Sequence, residues 1–156
     1  MPRWNKGSNV IERLLDSHHL DRVPADTDTV AALVATARRH IASASTTVDD
    51  DPDGALALAY DACRKAATAL LAHQGLRPTA AGGHLAVVEA MNAQFPGVAG
   101  LKSIDRLRRR RNQAEYPDPQ TYDPVSPDEV HDAIEAATGC VDAAEKLTAA
   151  PQLGVF

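Results

Sequence analysis

The sequence predicts an all-α fold, a single-domain up-and-down bundle of five or six helices. Apolar residues recur at steps of three and four along several segments, which is the spacing of one helix face. Proline, glycine or acidic turns separate these segments, and no segment shows the alternation typical of a strand. A chain of 156 residues also suits one domain with a sizeable core.

The first two helices are separated by a proline. A short helix is predicted over residues 9–18, within an N-terminal extension that covers residues 1–24. A second helix follows to about residue 47, and Asp26 or Thr27 caps its start. This second helix opens the bundle proper, for which we predict residues 25–148.

The third helix is predicted to be the central one, over about residues 54–73. An acidic turn precedes it, where carboxylates meet the positive end of the helix dipole. Leucines, alanines and a tyrosine cover a broad face, and Gly75 supplies a left-handed end. Asp61 and Arg64 lie on its polar strip, where Asp61 can pair with Lys65 one turn later.

The fourth and last helices also have recognisable starts. Gly82 and Gly83 form a tight turn that places His84 in the first turn of the fourth helix. Ser126, Pro127 and Glu129 form a capping box for the last helix, which runs to about residue 148. The remaining tail, residues 149–156, is expected to be loosely held.

Composition limits the classes of function. The net charge of −5 argues against a protein coated for nucleic acid, but five of the twelve arginines lie within residues 106–111 and form one basic patch. Cys63 and Cys140 lack metal-ligand spacing and are interpreted as small buried residues, with an interhelical disulfide as the alternative. The His18–His19 pair has no convincing partner, so neither a metal nor another cofactor is expected. Without a signal peptide or a membrane span, we expect a soluble cytoplasmic protein.

The arginine cluster belongs to a fifth helix with an unusual apolar stripe. Leu101, Ile104 and Leu107 share one face, and the same spacing places Arg111 where the next core residue would be. Prolines just beyond Tyr116 end the helix. An arginine aimed at a core must be paired or must serve a site. Arg111, Asn112 and Tyr116 are therefore candidate functional residues at a helix terminus.

This helix end resembles the HEPN superfamily, whose domains are four-helix bundles. The resemblance covers about residues 25–148 and is most specific in the motif Arg111-Asn112-Gln113-Ala114-Glu115-Tyr116, which is similar to a tyrosine-containing branch of the family. It implies a four-helix core with short extra helices, a homodimer, and a toxin–antitoxin or defence context. Nuclease members cut RNA with this arginine and a histidine four to six residues later, the two meeting across the dimer cleft.

The chain departs from the nuclease pattern because that histidine is absent. With four to six residues between the arginine and the histidine, the histidine would fall at Tyr116, Pro117 or Asp118. No other register supplies a histidine either. A tyrosine phenol stays protonated at neutral pH and is a poor base. Glu115, or His84 or His131 from another helix, are the remaining acid–base candidates, with Asp61 and Arg64 as auxiliary residues.

Three functional hypotheses and one structural alternative follow. In the first, the domain binds RNA or a nucleotide with weak or no catalysis, and Arg108, Arg109 and Arg110 contact phosphate. In the second, it is a metal-independent endoribonuclease toxin that uses Arg111 with a non-standard acid or base. In the third, suggested by the resemblance, it binds a nucleotidyltransferase partner that modifies Tyr116.

In the structural alternative, the motif binds no ligand and only stabilises the fold. Arg111, Asn112 and Tyr116 would then form a buried network that ties the helix end to Asp61 or another acid. The arginine run would be an ordinary solvated surface.

Overall fold

The computed structural model describes residues 3–156, so the first two positions of the predicted extension lie outside it. The described chain contains six α-helices and is 66% helical, which confirms the all-α prediction. The helices are α1 (Ser8–Asp16), α2 (Thr27–Thr47), α3 (Pro52–His73), α4 (Gly83–Gln94), α5 (Ile104–Glu115) and α6 (Pro127–Ala149).

The predicted helix starts have the expected caps. Asp26 accepts a hydrogen bond from the backbone N–H of Asp28 at the start of α2, and Asp51 accepts one from Gly54 at the start of α3. Ser126 accepts one from the backbone of Glu129 at the start of α6. These bonds satisfy N–H groups that have no partner within the helix.

A small antiparallel sheet was not predicted. Strands β1 (Leu20–Arg22) and β2 (Leu76–Pro78) pair just after the ends of α1 and α3. Three residues are too few for an alternating pattern to be visible in the sequence. The pairing satisfies backbone groups of two chain segments that leave the helices side by side.

Helix α3 supplies the centre of the core. Its buried face combines Leu56, Tyr60, Leu70 and Leu71 with many alanines, which let the neighbouring helices approach closely. Helices α2, α5 and α6 pack around it, and α4 closes one end.

Two cysteines and two glutamines are buried in this core. Cys63 and Cys140 are both free, and the Cys140 thiol donates to the backbone carbonyl of Cys63 over 3.7 Å. This agrees with their interpretation as small buried residues. The side chains of Gln74 and Gln94 exchange two hydrogen bonds of 2.6 and 3.0 Å, so neither amide is left unsatisfied.

The tail is not loose, contrary to the prediction. Leu153 and Phe156 are buried, and the backbone N–H of Phe156 donates to Gln74. The Arg22 guanidinium donates to the Phe156 carbonyl. These apolar side chains cover the end of the bundle without forming a regular element, so the sequence shows no periodicity that would reveal their burial.

The position of α5 depends on a short 3-10 turn, η1 (Ala99–Leu101), that packs against α6. Gly100 lies so close to Gly139 that an added Cβ would collide with the Gly139 carbonyl oxygen. Leu101 is buried just beyond this contact. Because α5 starts only three residues later, the glycine contact fixes where the arginine-rich helix begins.

None of the helices in residues 3–156 has the length and apolar character needed to cross a membrane.

We predict that Gly100→Ala destabilises the protein by about 1–3 kcal/mol, because a backbone carbonyl cannot move aside cheaply. Urea unfolding monitored by circular dichroism measures the change in free energy of unfolding. Gly97→Ala is the matched control, since an added Cβ there meets nothing within 4 Å. Equal stability of the two variants would show that η1 adjusts freely against α6.

Candidate nucleic-acid site

The buried face of α5 matches the apolar stripe that the sequence predicts. Ile104 and Leu107 are buried, and Arg111 comes next on the same face with 29% of its side chain exposed. The helix ends at Glu115, and the backbone N–H of Tyr116 donates to the Asn112 carbonyl. Arg111 therefore stands at the boundary between the core and solvent.

The Arg111 side chain lines a cavity of about 260 Å³ between α3, α4 and α5, hereafter the Arg111 pocket. The other residues that line it are Ala57, Leu58, Tyr60, Asp61 and His84. The polar contacts of Arg111 are long: 3.4 Å to the Asn112 amide oxygen and 3.8 Å to a Glu115 carboxylate oxygen. Its guanidinium thus keeps donors for a ligand.

His84 and Tyr60 form a pair on one side of this pocket. The Tyr60 hydroxyl and His84 Nδ1 are 3.1 Å apart, and the ring centroids are 5.5 Å apart. Tyr60 lies on the buried face of α3, whereas His84 is in the first turn of α4. No residue in the described range 3–156 forms a hydrogen bond with His84 Nε2. His84 Nδ1 is therefore hydrogen-bonded to Tyr60, and Nε2 is available to a ligand.

Burial and positive charge set the protonation of this pair. Burial lowers the pKa of His84, and the nearby guanidinium groups of Arg64 and Arg111 lower it further. Burial also raises the pKa of Tyr60 to about 12, although the same arginines oppose that shift. At neutral pH the histidine is uncharged and the phenol is protonated. The positive charge of the pocket is thus carried by arginine.

Asp61 is fully engaged by other residues. Its carboxylate lies 2.6 Å from Arg64, 3.1 Å from Lys65 and 3.1 Å from His40 Nε2. Burial opposes ionisation, but the hydrogen bond and charge of Arg64, together with Lys65, lower the pKa of Asp61 overall. The structural alternative in which Arg111 is tied to Asp61 is therefore wrong, because nearer side chains on α3 and α2 already bind that carboxylate.

The arginine run does not form one exposed surface, contrary to the expectation for Arg108, Arg109 and Arg110. Arg108 donates two hydrogen bonds to Asp105, and Arg110 donates to Glu129 and to the Asp123 carbonyl. Only 16% of the Arg110 side chain is exposed, against 71% for Arg109. Consecutive side chains of an α-helix project in different directions, so the neighbouring arginines contact different partners.

A different set of residues, on α5 and just before it, supplies the cations of a basic surface. A groove of about 640 Å³, hereafter the basic groove, is lined by Asn92, Lys102, Asp105, Arg106, Arg109, Arg110, Gln113 and Glu129. Lys102 and Arg106 have no salt-bridge partner among the described residues. Residues 102, 106, 109 and 113 follow steps of four and three, a signal that was available in the sequence.

Tyr116 lies apart from Arg111. Tyr116 is 75% exposed, so it belongs to no buried network. It lines a second cavity of about 270 Å³, hereafter the tyrosine pocket, with Arg110, Gln113, Asp118, Thr121, Tyr122 and Asp123. The structure thus separates Arg111 and Tyr116, and Asn112 lies between them as a backbone acceptor for Tyr116.

The remaining acid–base candidates are placed as follows. Glu115 is half-exposed and does not line the Arg111 pocket, and His131 lies exposed on α6. His84 is the candidate that shares a cavity with Arg111. Within residues 3–156, no cluster of three His, Cys, Asp or Glu side chains is arranged to hold a metal ion.

The HEPN domain family model matches residues 30–147, which span most of α2 to α6. The chain belongs to the HEPN family. HEPN domains are known in RNA-related toxin and defence proteins, and they often dimerise and bind RNA. No curated protein and no solved structure shows significant similarity to the chain.

We predict that the pKa of His84, measured from its ring resonances in a ¹H–¹³C NMR pH titration, lies below the ordinary value of 6.5. Arg111→Ala should raise it, because a neighbouring positive charge is removed. Because the pKa of His84 is lower in the folded than in the unfolded protein, the unfolded chain binds the proton first as the pH falls. The free energy of unfolding is therefore fully kept above pH 6.5 and decreases as the pH falls below it.

Arg109→Ala is the control for this titration, because Arg109 lies on the same helix and does not line the Arg111 pocket. Equal His84 titration in wild type and Arg111→Ala would contradict the proximity of the two side chains.

Proposed function

We propose that this HEPN domain binds RNA through the Arg111 pocket. The observation that supports the proposal is the single cavity shared by a partly exposed arginine with spare donors, a histidine with one free ring nitrogen and a buried tyrosine hydroxyl. Arginine donates two parallel hydrogen bonds to a phosphate, and the histidine and tyrosine can donate to the adjoining sugar oxygen.

The surrounding charges support an anionic ligand. The positive charges of Arg64, Arg108 and Arg111 lower the pKa of both Tyr60 and His84, and the carboxylate of Asp61 acts in the opposite direction. Near this pair the cations therefore outnumber the carboxylate. The cavity of about 260 Å³ is smaller than the pockets of drug-sized ligands, ~300–1,000 Å³. It suits one phosphate group with part of its sugar, so the rest of the strand would lie across the surface.

A second candidate function is RNA cleavage, favoured by the position of His84 opposite Arg111. His84 Nε2 would accept the proton of a ribose 2′-hydroxyl while its Nδ1–H donates to the Tyr60 oxygen. The 2′-oxygen then bonds to phosphorus, and the bond from phosphorus to the 5′-oxygen breaks. Water supplies the proton to that leaving oxygen, and Arg111 stabilises the negative phosphorane.

We also propose a homodimer and retain a partner hypothesis. Leu85, next to His84, is 51% exposed, so a second copy could cover it and bring two Arg111 pockets together. Tyr116 is accessible enough for modification by a nucleotidyltransferase, the partner suggested by family resemblance.

The test measures binding and cleavage separately. Fluorescence anisotropy with a 2′-O-methyl strand, which lacks the nucleophile, should show at least about tenfold weaker binding by Arg111→Ala, since a charged hydrogen bond contributes roughly 1.5–3 kcal/mol. His84→Asn should retain most of this binding. With unmodified RNA, wild type should form 2′,3′-cyclic phosphate ends if the second candidate holds, and His84→Asn should not.

Arg77→Ala is the matched control, because this exposed arginine lies on β2 away from the Arg111 pocket. Melting curves accompany every variant. Unchanged affinity of a well-folded Arg111→Ala would contradict RNA binding at this pocket, and unchanged cleavage by His84→Asn would reject the second candidate.

A further inference from the structure

The tyrosine pocket and the basic groove are neighbours. Both are lined by Arg110 and Gln113, at the last two turns of α5. The tyrosine pocket continues over the loop that follows the helix, which the side chain of Arg110 anchors through the Asp123 carbonyl over 2.9 Å. The two cavities therefore adjoin at Arg110 and Gln113.

The basic groove and the tyrosine pocket differ in charge, so they suit different parts of a ligand. Four cationic and two acidic side chains line the basic groove, and Lys102 and Arg106 are without salt-bridge partners in the described chain. Two acids, Asp118 and Asp123, line the tyrosine pocket, where Arg110 is already bonded to Glu129. Phosphate is favoured in the groove and disfavoured in the tyrosine pocket.

The tyrosine pocket offers aromatic surface instead. Four large hydrophobic residues are exposed in residues 3–156, and two of them line this cavity: Tyr116, which is 75% exposed, and Tyr122, which is 59% exposed. Prolines at 117, 119 and 124 restrict the loop that carries them. Exposed rings on a restricted backbone are suited to stacking with a flat, uncharged ring.

We propose that the tyrosine pocket binds one unpaired base and that the basic groove binds the neighbouring phosphates of the same strand. This inference rests on RNA binding by the domain and identifies the ligand as single-stranded RNA. A base within a duplex is stacked and paired on both sides, so it cannot enter the pocket. Carboxylates at the rim accept hydrogen bonds from the N–H groups of the base, while Lys102, Arg106 and Arg109 contact phosphate.

The test uses fluorescence anisotropy with three ten-residue 2′-O-methyl ligands: a single strand, its duplex, and a strand without bases. Wild type should bind the single strand more tightly than the other two. The double variant Tyr116→Ser/Tyr122→Ser should weaken single-strand binding about tenfold, because stacking is worth roughly 1–3 kcal/mol per base. Tyr116→Phe/Tyr122→Phe should bind as wild type does.

The groove is tested by the salt dependence of the same affinity. Lys102→Gln/Arg106→Gln should reduce the slope of log K against log salt by about 1.4, since each phosphate contact on a single strand contributes ~0.7. Arg77→Gln, which removes one exposed charge on β2, should leave the slope unchanged.

Three results would overturn the inference. If the serine double variant binds the single strand as wild type does while Arg111→Ala does not, the tyrosine pocket has no role and RNA binding at Arg111 stands. If wild type binds none of the three ligands, RNA binding itself is wrong and the inference falls with it. Equal affinity for the single strand and the duplex would also reject the unpaired base.

Discussion

The burial of α3 is the constraint on which the site depends. Twelve of its residues are buried, most of them alanine or leucine, and this apolar surface holds α2, α5 and α6 in place. Tyr60 lies on the same buried face, while Asp61 and Arg64 lie at its edge. The hydrophobic core therefore places these polar side chains beside the end of α5. A shift of α3 would change the Arg111 pocket together with the core.

Ion pairing then decides which cations are available to a ligand. Arg64 and Lys65 are held by Asp61, and Arg110 is held by Glu129 at the start of α6. The hydrogen bond from Arg110 lowers the pKa of Glu129, so that carboxylate stays charged and the link between α5 and α6 is kept. Arg111 has only two long contacts. Unlike Arg108 and Arg110, it therefore keeps hydrogen-bond donors for a ligand.

Local patterns predicted the helices and their caps well. The acidic turn before α3, Asp26 and Ser126 each have the short-range spacing that defines a helix start, so neighbouring residues carry the information. The two strands and the packed tail were missed because their stability comes from distant segments. Leu153 and Phe156 are buried by contacts with the ends of α3 and β1, which no periodicity within the tail reveals.

The candidate site was predicted only in part, for the same reason. The apolar stripe of α5 indicated that Arg111 faces the edge of the core, since that argument needs one helix alone. The pairing of Tyr60 with His84, 24 residues apart, and that of Arg110 with Glu129, 19 residues apart, required the packing of separate helices. Tyr116 shares a sequence motif with Arg111, yet it lines a different cavity because the helix ends between them.

The most direct test of the central claim is to map the ligand onto the folded protein. NMR shifts of backbone amides, the His84 ring and the arginine side chains would be followed during titration with a 2′-O-methyl dinucleotide monophosphate. Binding at the Arg111 pocket predicts the largest shifts at His84 and Arg111, with the Tyr60 amide next. Shifts confined to other surfaces, such as the apolar cavity lined by Leu33 and Leu76, would contradict it.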